Sequence, residues 1–367
     1  MPLSHYRPQD YQALLDAKVE RTTALLAPYD APQPQVYPSP PSGFRMRAEF
    51  RLWHQGDELN YVMFPPGDKT TPVVVDDFPI ACERIRELMP RLRAALIPSP
   101  TLRRRLFQVE FLATLAGDTL ITLVYHRKLD DDWDAEAGAL AQALGVSLVG
   151  RSRGQKRVIG RDFVRESLPV EGRRLSYVQY EQAFTQPNAL VNISMLGWAC
   201  ERAAGLTGDL LELYCGNGNF TLALAPHFNQ VVATELAKTS VRAARDNIAA
   251  NAVDNVQVIR LSAAEVTEAM AGTRQFRRLA DLPKPLQDYQ LDTLFVDPPR
   301  AGLDEHTLAM AASFAAVIYV SCNPATLAAN LQRLHATHWI ADFALFDQFP
   351  YTAHMECAVL LRKRAHQ

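Results

Sequence analysis

The chain is poor in cysteine. It has five in 367 residues, Cys82, Cys200, Cys215, Cys322 and Cys357. Their spacing matches neither a zinc module nor a disulfide framework, which points to a reducing compartment. No apolar run is long enough to cross a bilayer, and Met1 to Tyr6 holds no apolar signal core, so a soluble cytoplasmic protein without a membrane partner is expected. Excess charge is also lacking: 38 Lys and Arg against 40 Asp and Glu leave a formal charge of -2. Any contact with nucleic acid must come from local patches. There is no internal repeat, and the 48% hydrophobic content is ample for two domains.

Tyr11 to Leu26 mixes apolar and charged residues in a pattern compatible with an amphipathic helix. Prolines 28, 32, 34, 38, 40 and 41 then mark an extended, semi-rigid link. Phe44 to Trp53 alternates as a strand whose wet face carries Arg45, Arg47, Glu49 and Arg51. Further strands are expected at Tyr61–Phe64 and Val73–Val75, a helix at Ile80–Leu96, and a hairpin from Leu106–Leu115 and Thr119–His126. Basic runs lie at Arg103 to Arg105, at His126 to Lys128, and at Arg151, Arg153, Lys156, Arg157 and Arg161, around aromatics such as Phe107 and Tyr125. Cations that follow phosphates, interleaved with rings that stack on splayed bases, suit structured RNA. A solvated sheet surface accounts for the same runs.

From about residue 186 strands alternate with helices, the signature of a mostly parallel α/β sheet. Pro187 opens a helix to about Ala204. Asp209–Tyr214 is a strand feeding the glycine turn Cys215-Gly216-Asn217-Gly218-Asn219-Phe220, and Val231–Glu235 is a strand ending in an acid. A carboxylate there commonly accepts hydrogen bonds from ribose hydroxyls. A dinucleotide would ask for a third glycine where Leu222 stands. S-adenosylmethionine, with no pyrophosphate, tolerates the change. The next strand ends in Asp297-Pro298-Pro299-Arg300, a rigid edge rich in carbonyls. Arg300 stands where amine methyltransferases carry an aromatic residue, which argues against amine chemistry.

Ala316–Val320 is a short buried strand followed by Ser321-Cys322-Asn323-Pro324. Asn323 suits an N-cap and Pro324 a first helical position, so Cys322 sits at a strand's carboxyl end facing a helix N-terminus, a placement that favours thiolate. A buried structural cysteine is the other reading. A final strand starts near Cys357, and alternation sends Glu356 and Cys357 to opposite faces.

Together, Phe184-Thr185-Gln186-Pro187-Asn188, Glu212 to Phe220, Asp297 to Arg300, Ser321 to Pro324 and His354-Met355-Glu356-Cys357, with Arg45 to Arg51 and Tyr125 to Asp131, resemble the RNA 5-methyluridine methyltransferases in their tRNA branch. The resemblance spans nearly the whole chain. It implies an α/β fold in which a Rossmann-like, class I S-adenosylmethionine-dependent catalytic domain at 181–367 follows an α+β RNA-binding domain at 1–180. It implies Cys322 as nucleophile and Glu356 as base. Gln186, Tyr214, Asn219, Glu235 and Asp297 would bind S-adenosyl-L-methionine, and Arg51, Phe107 and His126 would contact RNA. The substrate implied is the T-arm of tRNA, with tmRNA as a second candidate, and a monomer is expected. No metal is implied. The ribosomal-RNA relatives carry a four-cysteine iron–sulfur site, whereas here only Cys82 precedes residue 200. Methylation of ribosomal RNA, an NAD-type oxidoreductase, and an RNA-binding protein that helps tRNA fold are the competing readings.

Overall fold

The computed structural model describes residues 5–65, 67–68 and 70–365. Its larger sheet has eight strands in the order Gln35–Tyr37, His338–Phe346, Glu356–Lys363, Ala316–Ser321, Leu291–Val296, Asp209–Leu213, Val231–Thr234 and Val256–Ile259. The last five run parallel. Glu356–Lys363 runs antiparallel to both neighbours. Asp209–Leu213, Val231–Thr234 and Ala316–Ser321 are buried at every residue, as expected of strands covered by helices on both faces. The antiparallel strand has a functional consequence. Its first residue, Glu356, comes to the same edge as the carboxyl ends of the parallel strands, with Ser321 paired to Cys357.

A second sheet of seven strands runs in the order Val73–Val74, Glu58–Met63, Arg47–Gln55, Leu106–Ala113, Thr119–Tyr125, Ser147–Ser152 and Gln155–Ile159. Along Arg47–Gln55, Ala48, Phe50 and Leu52 point into the core and Glu49, Arg51 and Trp53 point out, the period-two pattern expected. Glu83–Leu96 and Asp131–Leu144 cover the inner face and bury Ile85, Leu88, Trp133 and Leu140. Arg45 and Arg47 are not on a wet face. Both are half-buried, and the Arg45 Nε bonds back to the Arg47 carbonyl at 2.8 Å.

The packing does not follow the expected division at residue 180. The helix Tyr11–Leu26 buries Leu15 and Leu26 among Leu211, Val317 and Leu331 of the eight-stranded half. Gln35–Tyr37, inside the proline-rich link, pairs as an edge strand with Ala344–Phe346. The hairpin Phe163–Val170 and Arg173–Tyr180 docks on the helix Lys238–Ala250, where Asn247 and the C-cap residue Asn251 accept from the Val178 and Ser176 amides. Hydrophobic burial decides these attachments, and the seven-stranded sheet between them stands as a unit inserted into the eight-stranded core. The segment from residue 275 to 290 forms two short 3-10 turns, Arg277–Asp281 and Leu286–Asp288, and packs Leu282, Leu286 and Tyr289 into the core.

Candidate active site

The carboxyl edge of the larger sheet opens into a cavity of about 530 Å³. Cys322, Glu356, Gln186, Tyr214, Asn219, Glu235 and Asp297 all line it. Residues up to 170 positions apart in sequence therefore meet because each sits at the end of a strand or the start of a helix at one edge.

The turn after Asp209–Leu213 is built from left-handed residues: Tyr214 at φ 60°, Gly216 at 57° and Gly218 at 84°. The glycines take this conformation freely. Tyr214, with a side chain, pays about 1–2 kcal/mol for it, a local cost held by the surrounding fold. The Gly216 amide donates to Glu235 Oε2 at 3.1 Å, and the Leu236 and Ala237 amides donate to Oε1 at 2.8 Å each. Three backbone donors thus fix the Glu235 carboxylate at the rim, filling both lone pairs of Oε1 and leaving one on Oε2 for a further donor. Asn219 exchanges two hydrogen bonds with Asn192, each 2.9 Å, and its carbonyl accepts from the Tyr177 hydroxyl. Gln186 Oε1 is buried without a partner. An orphaned acceptor on the wall asks for a ligand donor. These groups suit a nucleoside with an ammonium-bearing tail: one carboxylate for ribose hydroxyls, a free acceptor for a cation, and glycines for close backbone approach.

On the opposite wall stand Cys322, Asp297 and Glu356. Burial pushes the Cys322 thiol up to about 11, aided by the nearby Glu356 and Asp297 carboxyls and opposed by Arg300. The helix Pro324–Leu334 does begin beside it with Pro324 in its first turn, but burial works against the thiolate that this placement led one to expect. Asn323 occupies the N-cap position without capping through its side chain. Its Nδ2 instead donates to Thr326 Oγ1 at 2.5 Å and to the Arg300 carbonyl at 3.3 Å, tying the cysteine loop to the Asp-Pro-Pro-Arg edge. Glu356 is only 4% exposed. Burial, with Asp297 adding to it, holds its carboxyl well above the usual range. Asp297 is pushed up to about 7 by burial, and Glu212, buried beneath the glycine turn, to about 8. Cys357 faces the other way, its Sγ 3.3 Å from the Ser321 carbonyl.

The three expected RNA contacts meet elsewhere, on the seven-stranded sheet. The Arg51 guanidinium lies 3.8 Å from the Phe107 ring centroid, and Phe107 is stacked with His126 at 4.1 Å. Arg51 and His126 are exposed. The basic run from Arg151 to Arg161, by contrast, is largely engaged in internal pairs. Arg151 and Lys156 pair with Glu181, Lys156 also with Asp162, Arg157 with Asp131 and Asp134, and Arg161 with Asp118. Arg104, Arg105 and Lys128 are exposed and, among the described residues, carry no ion pair.

Sequence reading missed part of the cavity. Glu166, Leu168 and Tyr177 come from the hairpin 163–180, and Asn192 from the following helix. The signal was present: Val164, Glu166, Leu168 and Val170 alternate inward along one strand. Phe184, 71% exposed at the rim, belongs to a recognised motif yet had been given no role.

The family model for tRNA (uracil-5-)-methyltransferase matches residues 10–364. The chain belongs to this family. A tRNA/tmRNA (uracil-C(5))-methyltransferase of Azotobacter vinelandii is 56% identical over 99% of this chain and 100% of its own length. One of Ectopseudomonas mendocina is 57% identical over 98% and 99%. The solved tRNA (uracil-54, C5)-methyltransferase of Pyrococcus abyssi, in complex with S-adenosyl-L-homocysteine, superposes with a TM-score of 0.73 at 23% identity, covering 96% of this chain and 83% of that one. The fold is thus the Rossmann-like one of S-adenosylmethionine-dependent methyltransferases, and the dinucleotide reading falls away. No helix among the described residues is long and apolar enough to cross a membrane.

Proposed function

We propose that this chain methylates C5 of a uridine in the T-arm of tRNA, and of tmRNA, with S-adenosyl-L-methionine as methyl donor. It acts as a monomer in the cytoplasm. The observation that carries this reading is the convergence of Cys322, Asp297 and Glu356 with the glycine turn and Glu235 around one cavity.

When bound, the cofactor supplies an electrophilic methyl on a sulfonium. Glu235 would accept from its ribose, Gln186 Oε1 and Asp297 would serve its cationic groups, and Tyr214 and Asn219 would flank it. C5 of uracil is a poor carbon nucleophile. Addition of the Cys322 thiolate at C6 makes it electron-rich and divides one hard step into easier ones. After methyl transfer the C5 proton must leave, and the Glu356 carboxylate takes it. The C–H electrons form the C5–C6 double bond and Cys322 departs as thiolate. Burial disfavours the charged forms of the Cys322 thiol and the Glu356 carboxyl, and a cation in the cavity favours them.

The seven-stranded sheet is the RNA-binding unit in this reading. Arg51, Phe107 and His126 present a cationic aromatic stack to bases, and the target uridine is flipped out to reach Cys322. Incubation with methyl-labelled S-adenosylmethionine and unmodified tRNA, followed by digestion to nucleosides, tests the activity. All label is expected in ribothymidine. Label in another nucleoside, or none, contradicts it.

A further inference from the structure

Glu356 stands at the end of a nine-residue connection, 347–355, between two antiparallel strands. That connection is gripped from outside by the N-terminal segment. Lys18 Nζ, on the helix Tyr11–Leu26, lies 2.5 Å from Asp347 Oδ1, with the two side chains 4% and 1% exposed, and donates again to the Phe349 carbonyl at 3.0 Å. One turn further on, Arg21 Nη2 donates to the Ala353 carbonyl at 2.9 Å. The Tyr351 hydroxyl, on a residue at φ 62°, donates to the Pro41 carbonyl at 2.6 Å. The start, middle and end of the connection are each tied to residues 18–41.

We propose that the N-terminal segment is a positioning clamp for the general base, with Lys18 and Arg21 as positioning residues that act through the 347–355 connection. This rests on the assignment of Glu356 as base. A fully buried ion pair adds little net stability over an apolar pair of the same size, because desolving both charges offsets their attraction. What Lys18–Asp347 does supply is one allowed geometry for the connection. A base needs that, since its oxygen must reach the C5 proton within about 3 Å and a misplacement of about 1 Å can cost about a hundredfold in rate. Neither cation lines the cavity, so neither acts on substrate directly.

The test uses the full-length enzyme with tRNA tritiated at uracil C5. It measures tritium release, the amount of methylated protein–RNA adduct on a denaturing gel, and the rate at which the adduct forms. Arg21 is exposed, so Arg21→Ala leaves no buried charge behind. Lys18→Met/Asp347→Asn removes both buried charges together. Both variants are expected to slow tritium release, the double variant by about tenfold or more, and to accumulate methylated adduct, with unchanged adduct formation and cofactor affinity. Arg21→Lys should restore release. A parallel loss of adduct, product and cofactor binding, or no change in release, overturns the clamp. Glu356→Gln run alongside separates the two ideas. If it accumulates adduct and the clamp variants do not, the clamp is wrong and the base stands. If it accumulates none, the base assignment is wrong and the clamp falls with it.

Discussion

At Cys322, sequence and structure give opposite answers about charge. The helix N-terminus beside it was legible; the burial and the two carboxyls facing it were not, because Asp297 and Glu356 lie 25 and 34 positions away. The sign of the pH dependence follows from the structure. A thiol raised to about 11 is protonated below that pH, so alkylation of Cys322 by iodoacetamide in the free enzyme should rise about tenfold per pH unit from pH 7 to 10. An inflection near pH 6–7, followed by mass spectrometry of the Cys322 peptide, would mean that the helix field wins. Glu235 gives a second residue-level prediction. Its oxygens accept three backbone amides and keep room for the ribose, so Glu235→Ala should weaken S-adenosylmethionine binding by about 1.5–3 kcal/mol and leave tRNA binding nearly intact. Calorimetry with cofactor alone and filter binding with tRNA alone check the two halves; unchanged cofactor affinity would remove Glu235 from the site.

Among the elements, those carrying a terminal motif were read most fully. The strands ending at Leu213, Val296 and Ser321 announced themselves by an apolar run closing on a glycine turn, an Asp-Pro-Pro and a cysteine. His338–Phe346, Val256–Ile259 and the hairpin 163–180 went unread, since none ends in such punctuation. The basic strands around Arg151 to Arg161 could not be decided between RNA contact and a solvated surface for another reason. Glu181 and Asp118, which neutralise Arg151 and Arg161, lie 30 and 43 residues away. Ion pairs at that separation come from tertiary folding. The unpaired and the paired basic residues should therefore differ in function. Replacing Arg104, Arg105 and Lys128 together with Gln should weaken tRNA binding and lower the slope of log affinity against log salt by about 0.7–1 per charge. Arg157→Gln and Arg161→Gln should leave that slope unchanged. Filter binding across a potassium chloride series gives both slopes, and the reverse pattern would put RNA on the other edge of the sheet.

Across the whole molecule, the division into two consecutive domains was the reading that packing changed most. The chain begins on the catalytic sheet, leaves it to build the seven-stranded sheet, and returns through the hairpin 163–180, whose inner face walls the cavity. Lys18 and Asp347 pair across 329 positions, a contact that no local pattern announces. What this arrangement serves is a single cavity lined by a thiol and a carboxyl from neighbouring antiparallel strands, which in the function proposed here work on one base in sequence. The most direct measurement of that claim is the covalent adduct itself. Wild-type enzyme, Cys322→Ala and Glu356→Gln are each incubated with S-adenosylmethionine and tRNA and resolved on a denaturing gel, with the adduct mass read by spectrometry. Glu356→Gln is predicted to trap a stable protein–RNA species carrying the transferred methyl, because addition and methylation proceed and elimination does not, and Cys322→Ala is predicted to form none. An adduct with Cys322→Ala, or normal turnover by Glu356→Gln, would contradict the account.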